Sequence, residues 1–175
     1  MSTANVLWTP SPERAQASTM AQFERFVAQT RGHSFADYNA MWRWSVDDLE
    51  GFWSAIWDFF ELRASVPPTR FLEKRQMPGA VWGPGAQLNY TDNILKHAQG
   101  REDELAVVVH SETFERSTLT WGELRAQVAS VASHLRDMGV VQGDRVVAIL
   151  PNTQTALIAF LATSSIGAIW SLCAP

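Results

Sequence analysis

Apolar residues at helical spacing alternate along this chain with short β-rich runs. In Thr118–Pro175, Leu124, Val128, Val131 and Leu135 recur on one helical face. Thr120 stands where an N-cap belongs, and Glu123 follows at the spacing of a capping box. Gly139 stops that helix, and Gly143 with Asp144 makes a turn. Arg145 to Leu150, RVVAIL, is almost continuously apolar and predicts a parallel strand covered on both faces. Pro151 and Asn152 end it, and Asn152 or Thr153 caps a helix. From Ala156 to Ile166 that helix is small or apolar nearly all round, which predicts burial. Gly167 closes it, and Ala168 to Cys173 reads as a second strand. Strand, helix and strand form a βαβ unit with a right-handed crossover. Open α/β sheets bind ligands at the carboxyl ends of their strands. The chain runs two residues past its last strand, so the expectation is a fragment whose end lies at a ligand site.

The N-terminal half has a different texture. Residues 1–10 read as an irregular lead-in. Ser11, Pro12 and Glu13 are a helix start: a cap, a proline whose missing N–H is harmless there, and an acid at the positive helix end. Ser18 opens a second segment with Met20, Phe23, Phe26 and Val27 on one face, closed by Gly32. Asp37 predicts a short helix through Met41 and Trp42. Ser45 then predicts the cap of a stronger one, with Asp47 and Asp48 in its first turn. Leu49, Phe52, Trp53, Ile56, Trp57 and Phe60 follow three- and four-residue spacing. Such an aromatic stripe could stack a ligand, but its ordinary period favours docking a helical cap onto a core. Pro67 and Pro68 break the pattern, and residues 67–90 read as an extended connector. Lys74 and Arg75 there read as solvated charges rather than phosphate ligands. Asn89 to Ala98 predicts a helix started by Thr91 or Asp92, with Ile94, Leu95 and Ala98 facing the core. LAVVVH from Leu105 predicts a strand, returning through Ser117 to Leu119 as a hairpin. The organisation is therefore α/β. A helical, Trp-rich preface (1–66) and a connector with a short helix (67–104) precede the first βαβ part of an incomplete, mainly parallel sheet domain (105–175).

Composition narrows the function. Of 175 residues, 46% are hydrophobic and 18% charged, a balance that builds a packed core. A net charge of −4 argues against nucleic acid as the main partner. Cys173 is the lone cysteine and falls in a strand read as buried, so no internal disulfide forms. No basic region followed by an apolar core opens the chain. The uncharged run from Ala156 to Ala174 raises a membrane-spanning reading, against which stand Thr163, Ser164, Ser165, Gly167 and the lack of a basic flank. Four scattered histidines without HxxxH or CxxC spacing give no metal site. His97, His110 and His134 each stand apart. There is no glycine-rich loop ending in Lys-Ser or Lys-Thr, no GxSxG and no GxGxxG after a strand. The acid clusters Asp47–Asp48 and Glu102–Glu104 sit at a helix start and in a polar loop, settings of solvation rather than acid–base work.

The stretch LTWGELRAQVASVASHLRDMGVVQGDRVVAILPNTQTALIAFLATSSIGAIWSLCAP resembles the opening of the adenylate-forming superfamily, which includes the acyl-CoA synthetases. LTWGEL looks like that family's Leu-Thr-Tyr-x-Glu-Leu helix start, with Trp121 in the Tyr position. MWRWSVDDLEGFWSAIWDFF and AVWGPGAQLNYTDNIL resemble the preface of its acetoacetate-activating branch. GAIWSLCAP is similar to a strand where that branch has a Ser-Ser-Cys-Ser-Pro run, with Leu172 and Ala174 replacing two serines. The resemblance implies an ATP-dependent acid–thiol ligase with acetoacetate, ATP and CoA as substrates, Mg²⁺ as cofactor and a cytoplasmic location. It implies no nucleic-acid or membrane partner. The loop, adenine, ribose and lysine elements that do the chemistry in that family lie beyond the matched segments. No catalytic residue and no metal ligand is therefore assigned here, and the fragment alone is expected to be inactive. Ser171 and Cys173 are candidates for the edge of the CoA cleft, against the simpler reading of a filled strand end. A sister ligase for acetate or propionate and a non-catalytic interaction module are the alternatives.

Overall fold

A computed structural model describes residues 7–112 and 114–175. Much of the lead-in expected over residues 1–10 lies outside them; Leu7 to Pro10 are irregular. The chain divides into two compact units. One comprises the residues up to Leu62 together with Pro68–Pro84, the other Arg63–Pro67 with Gly85–Pro175. The connector is thus split: its proline-rich part belongs to the first unit, and its helical part to the second.

The first unit is built on caps. Ser11 precedes α1 (Pro12–Ala17) and accepts from Arg14 N–H, and Ser18 precedes α2 (Thr19–Arg31) and accepts from Ala21 N–H. Gly32, at φ 70°, takes the left-handed turn that ends α2. Asp37 opens α3 (Tyr38–Asp47), which runs well past Trp42. Ser45 does not cap the next helix. It lies inside α3, its hydroxyl donating to Trp42 O at 2.7 Å. The cap of α4 (Leu49–Phe59) is Asp48, whose Oδ1 accepts from Gly51 N–H at 2.9 Å. Asp48 leaves the helical region at φ −109°, ψ 74°, and an acceptor is needed where the chain makes that break. At Gly51 a Cβ would lie 2.1 Å from the Asp48 carboxylate, so a side chain there would displace the cap from its present position.

The buried line of α4 is rotated from the stripe read in the sequence. Phe52, Ala55, Ile56 and Phe59 face Phe23, Val27 and Met41, whereas Trp53 and Phe60 are 45% and 48% exposed. Ala55 is small enough for α2 to come close, and the Phe23 ring meets Phe59 at 5.3 Å and Phe52 at 6.0 Å edge-on. The other aromatics of the stripe pack within the same unit: Trp53 touches Trp82 and Trp57 touches Phe71. Arg31 and Asp58 form an ion pair across α2 and α4. The proline-rich segment is not merely extended: β1 (Leu72–Lys74) and β2 (Val81–Trp82) pair antiparallel. Glu50 Oε1 receives the N–H groups of Phe71 and Leu72, both at 3.1 Å, which ties this hairpin to α4. Arg75 is not a free cation; its guanidinium donates to Val46 O and Asp47 O at the end of α3.

The second unit opens with α5 (Tyr90–Leu95), which continues as a 3-10 turn over Lys96–Ala98. Its cap is Asn89, two or three positions before Thr91 or Asp92, the residues read as its start. The hairpin of β3 (Leu105–Val109) and β4 (Ser117–Thr120) is antiparallel. Thr120 and Glu123 complete the capping box of α6 (Trp121–Asp137) reciprocally, at 3.2 and 2.8 Å. β5 (Arg145–Ile149) and β6 (Ile169–Cys173) pair in parallel around α7 (Gln154–Ser165). Thr153 holds the N-cap position of α7 without a side-chain bond. The core joins Leu119, Leu124, Val128, Ala132, Ile158, Leu161 and Ala162, with Ile94 and Leu95 packed on it. Among the described residues no helix is long and apolar enough to cross a membrane.

Substituting the two competing caps separates them. Asp48→Ala should lower unfolding free energy by about 1 kcal/mol, while Ser45→Ala stays within about 0.5 kcal/mol of the parent. Urea unfolding followed by circular dichroism reads both.

Candidate functional site

The carboxyl ends of β5 and β6 are the place to build from, because that is where a parallel pair presents its loops. The register sets Val147 opposite Ser171 and Ile149 opposite Cys173, and Leu150 N–H donates to Cys173 O at 3.1 Å. Ser171 and Cys173 therefore lie on one face, two residues apart. Both are exposed, so the reading of Cys173 as a buried strand residue is corrected. Side chains alternate across a strand. Val146 and Ala148 are half-buried, while Val147 and Ile149 are 65% and 69% exposed. β5 is thus covered on one face rather than both: the apolar run reflects residue type, and the described residues supply a layer to one side only.

Turns and clips hold this strand pair. Asp144 Oδ2 accepts from Val141 N–H at 2.8 Å and closes the turn into β5. Gly143 N–H donates to Gly167 O at 3.0 Å, and Ile169 N–H to Asp144 O at 2.7 Å, so both strands start from one joint. Gly167 sits at φ 78°, and a Cβ there would meet Gln142 Cγ at 3.1 Å. The segment LNYTDN reaches α7 from α5. Thr91 is 1% exposed, and its hydroxyl donates to Leu161 O at 2.8 Å. Asn89 Nδ2 donates to Ser164 O and Ser165 O at 2.9 and 3.3 Å. Asn93 grips the chain at Arg63: its Oδ1 accepts from Arg63 N–H at 2.8 Å and its Nδ2 donates to Arg63 O at 2.9 Å.

A hollow of this unit lies elsewhere. An open groove of about 750 Å³ lies between Arg63–Ser65, Gln87–Asn89 and α5, with Lys96 and Arg125 on its walls and Asp92 beside them. It does not contain Ser171 or Cys173. Trp121 begins α6 with its ring 6.3 Å from His97 and under the Arg101 guanidinium at 6.0 Å. Gly122 has no side chain where a Cβ would lie 3.1 Å from Glu102 O, which accepts its N–H at 2.8 Å. The TWGEL motif is thus a helix start against which the 102–104 loop lies flat. Of the acids in that loop, Glu104 pairs with Arg101. The Glu102 carboxyl is held below its ordinary value by its own backbone N–H and that of Gly100. Neither is placed for proton transfer. Among the described residues no group of three or more His, Cys, Asp and Glu side chains could hold a metal ion. The described residues therefore offer no donor set for Mg²⁺.

Comparison with known proteins places this geometry. Residues 94–175 match the model of the AMP-binding enzyme family, and residues 38–94 match that of the acetyl-coenzyme A synthetase N-terminus. The chain is 37% identical over 169 residues to an acetoacetyl-coenzyme A synthetase of Rhizobium meliloti, covering 97% of the chain and 26% of the relative. It is 38% identical over 175 residues to an acetoacetyl-CoA synthetase of Danio rerio, covering 98% and 25%. Among solved structures, an acetoacetyl-CoA synthetase from Streptomyces lividans superposes with a TM-score of 0.91 at 44% identity, over 96% of the chain and 26% of that protein. The chain spans about a quarter of the length of the curated relatives it matches.

Two buried threonines give opposite expectations. Thr91→Val removes the bond to Leu161 O and should cost about 1–2 kcal/mol. Thr163 is fully buried and its hydroxyl has no partner among the described residues. Thr163→Val should therefore be neutral or stabilising by up to about 1 kcal/mol. Denaturant unfolding of the two variants measures both.

Proposed function

We propose that this chain, whose residues 94–175 match the model of the AMP-binding enzyme family, is the opening part of an ATP-dependent acetoacetate–CoA ligase. What supports the acetoacetate branch is the 0.91 TM-score at 44% identity with the Streptomyces lividans acetoacetyl-CoA synthetase, over 96% of the chain.

The reaction has two steps. A carboxylate oxygen of acetoacetate attacks the α-phosphorus of ATP. The bond from that phosphorus to the bridging oxygen breaks, and pyrophosphate leaves. The CoA thiolate then attacks the carbonyl carbon of the mixed anhydride, AMP leaves with the bridging oxygen, and the thiol proton passes to solvent. The first step needs cationic groups or Mg²⁺ to offset phosphate charge. The residues of this chain supply no such constellation among those described. Their part is to hold the parallel strands whose ends border the substrates. In this reading Ser171 to Pro175 lead into a loop on the CoA side of the cleft, with Ser171 and Cys173 at its edge and no catalytic group among them. The reaction takes place in the cytoplasm.

The complete gene product should show acetoacetate-dependent ATP–pyrophosphate exchange and release AMP when CoA is added. The purified 175 residues should show neither. A panel of acetate, propionate and acetoacetate should give the highest kcat/KM for acetoacetate. Preference for another acid would move the protein to a sister ligase, and no exchange with any acid would favour a non-catalytic module. AMP release by the 175 residues alone would contradict the assignment of the chemistry to other segments.

A further inference from the structure

Asn89 is bonded at both ends of its amide. Its backbone is extended, at φ −116° and ψ 131°, as an N-cap residue should be. Oδ1 accepts from Thr91 N–H at 2.9 Å and Asp92 N–H at 3.3 Å. Nδ2 donates to Ser164 O at 2.9 Å and Ser165 O at 3.3 Å. An amide oxygen only accepts and an amide nitrogen only donates, so these four partners admit one orientation of the group. Two helix ends are served at once: the orphan N–H groups that open α5 and the carbonyls that close α7. Four residues beyond Ser165, β6 begins at Ile169. Between them lie Ile166 and the left-handed Gly167, whose carbonyl meets Gly143 N–H. The start of β6 is therefore set from two sides, by the joint at Gly143–Asp144 and by Asn89.

We propose that Asn89 is a positioning residue. By tying the last turn of α7 to the first turn of α5, it fixes where β6 starts and hence where Ser171 to Pro175 leave the strand. The functional side of this inference rests on the reading that this strand end borders the CoA side of the cleft. Asparagine is suited to the place where other good caps are not. Aspartate caps α5 equally well, but it lacks the donor and turns a charged oxygen toward two carbonyl oxygens.

The test is Asn89→Asp in the complete gene product, with Asn89→Ala as the variant that loses both ends. Asn89→Asp should keep its helical circular dichroism and thermal midpoint while amide exchange over Ile166–Ile169 rises about fivefold or more. Acetoacetate-dependent ATP–pyrophosphate exchange should stay within about twofold, and KM for CoA should rise about threefold or more. Asn89→Ala should in addition lower the thermal midpoint. Unchanged exchange over Ile166–Ile169 would overturn the clip. Equal loss of both half-reactions together with a lowered midpoint would show a merely structural role and overturn the positioning. If the unmutated complete protein shows no acetoacetate-dependent exchange, the ligase reading fails, and the amide-exchange arm still decides whether Asn89 holds the start of β6.

Discussion

A helix that is apolar or small on every side has to be enclosed, and that requirement organises the second unit. α7 buries Ala156, Ile158, Leu161, Ala162 and Thr163, and of its residues only Thr155 is exposed. It packs on α6 through Leu124, Val128 and Ala132 and on α5 through Ile94 and Leu95. Ala162, with almost no side chain, lets the helices approach closely. Because α7 also joins β5 to β6, whatever holds it holds the strand ends. The capping box of α6 and the clips from Asn89 and Thr91 are therefore parts of one device that aims the carboxyl ends of a parallel pair.

The polar bonds add what burial alone cannot. Apolar packing is non-directional, so α7 could slide or turn within its enclosure at modest cost. Thr91 bonds Leu161 O and Asn89 bonds Ser164 O and Ser165 O, which pins both the rotation and the axial position of α7. The Thr91 hydroxyl is buried, and a buried donor left unpaired is expensive, so these bonds favour the observed register. The short segment LNYTDN thus carries positional information out of proportion to its size.

Local rules were readable where one residue suffices. Thr120 with Glu123, Ser11 with Pro12, and the glycines at Gly32, Gly139 and Gly167 act as the sequence indicates, as does the β5–α7–β6 order. Three features were not readable, the first because two good caps compete within one turn and the other two because a distant partner decides. Ser45 and Asp48 are both good caps, and the choice falls to Asp48 because α3 continues through Ser45, whose hydroxyl is satisfied by Trp42 O. The inner line of α4 turns on Ala55, which reads as neutral until α2 is laid against it. The β1–β2 pairing hides in a proline-rich stretch, held by Glu50 reaching from α4. At the candidate site the sequence indicated the strand end but not the exposure of Cys173, since an apolar strand does not say which of its faces is covered. The Asn89 clip was invisible for the same reason as the α4 line and the β1–β2 pairing: its acceptors lie 75 and 76 residues away.

Under the ligase function proposed above, a rigid rim ahead of the chemical groups is useful, since misplacement of a substrate costs rate. The enclosed α7 is the source of that rigidity. Its most direct test is Leu161→Ala, which deletes the side chain at the centre of the enclosure, 1% exposed, followed by urea unfolding. A loss of about 2–5 kcal/mol is expected, as for other fully packed leucines. A loss below about 1 kcal/mol, in the range of surface substitutions, would contradict the enclosure and would mean that α7 does not hold the strand ends.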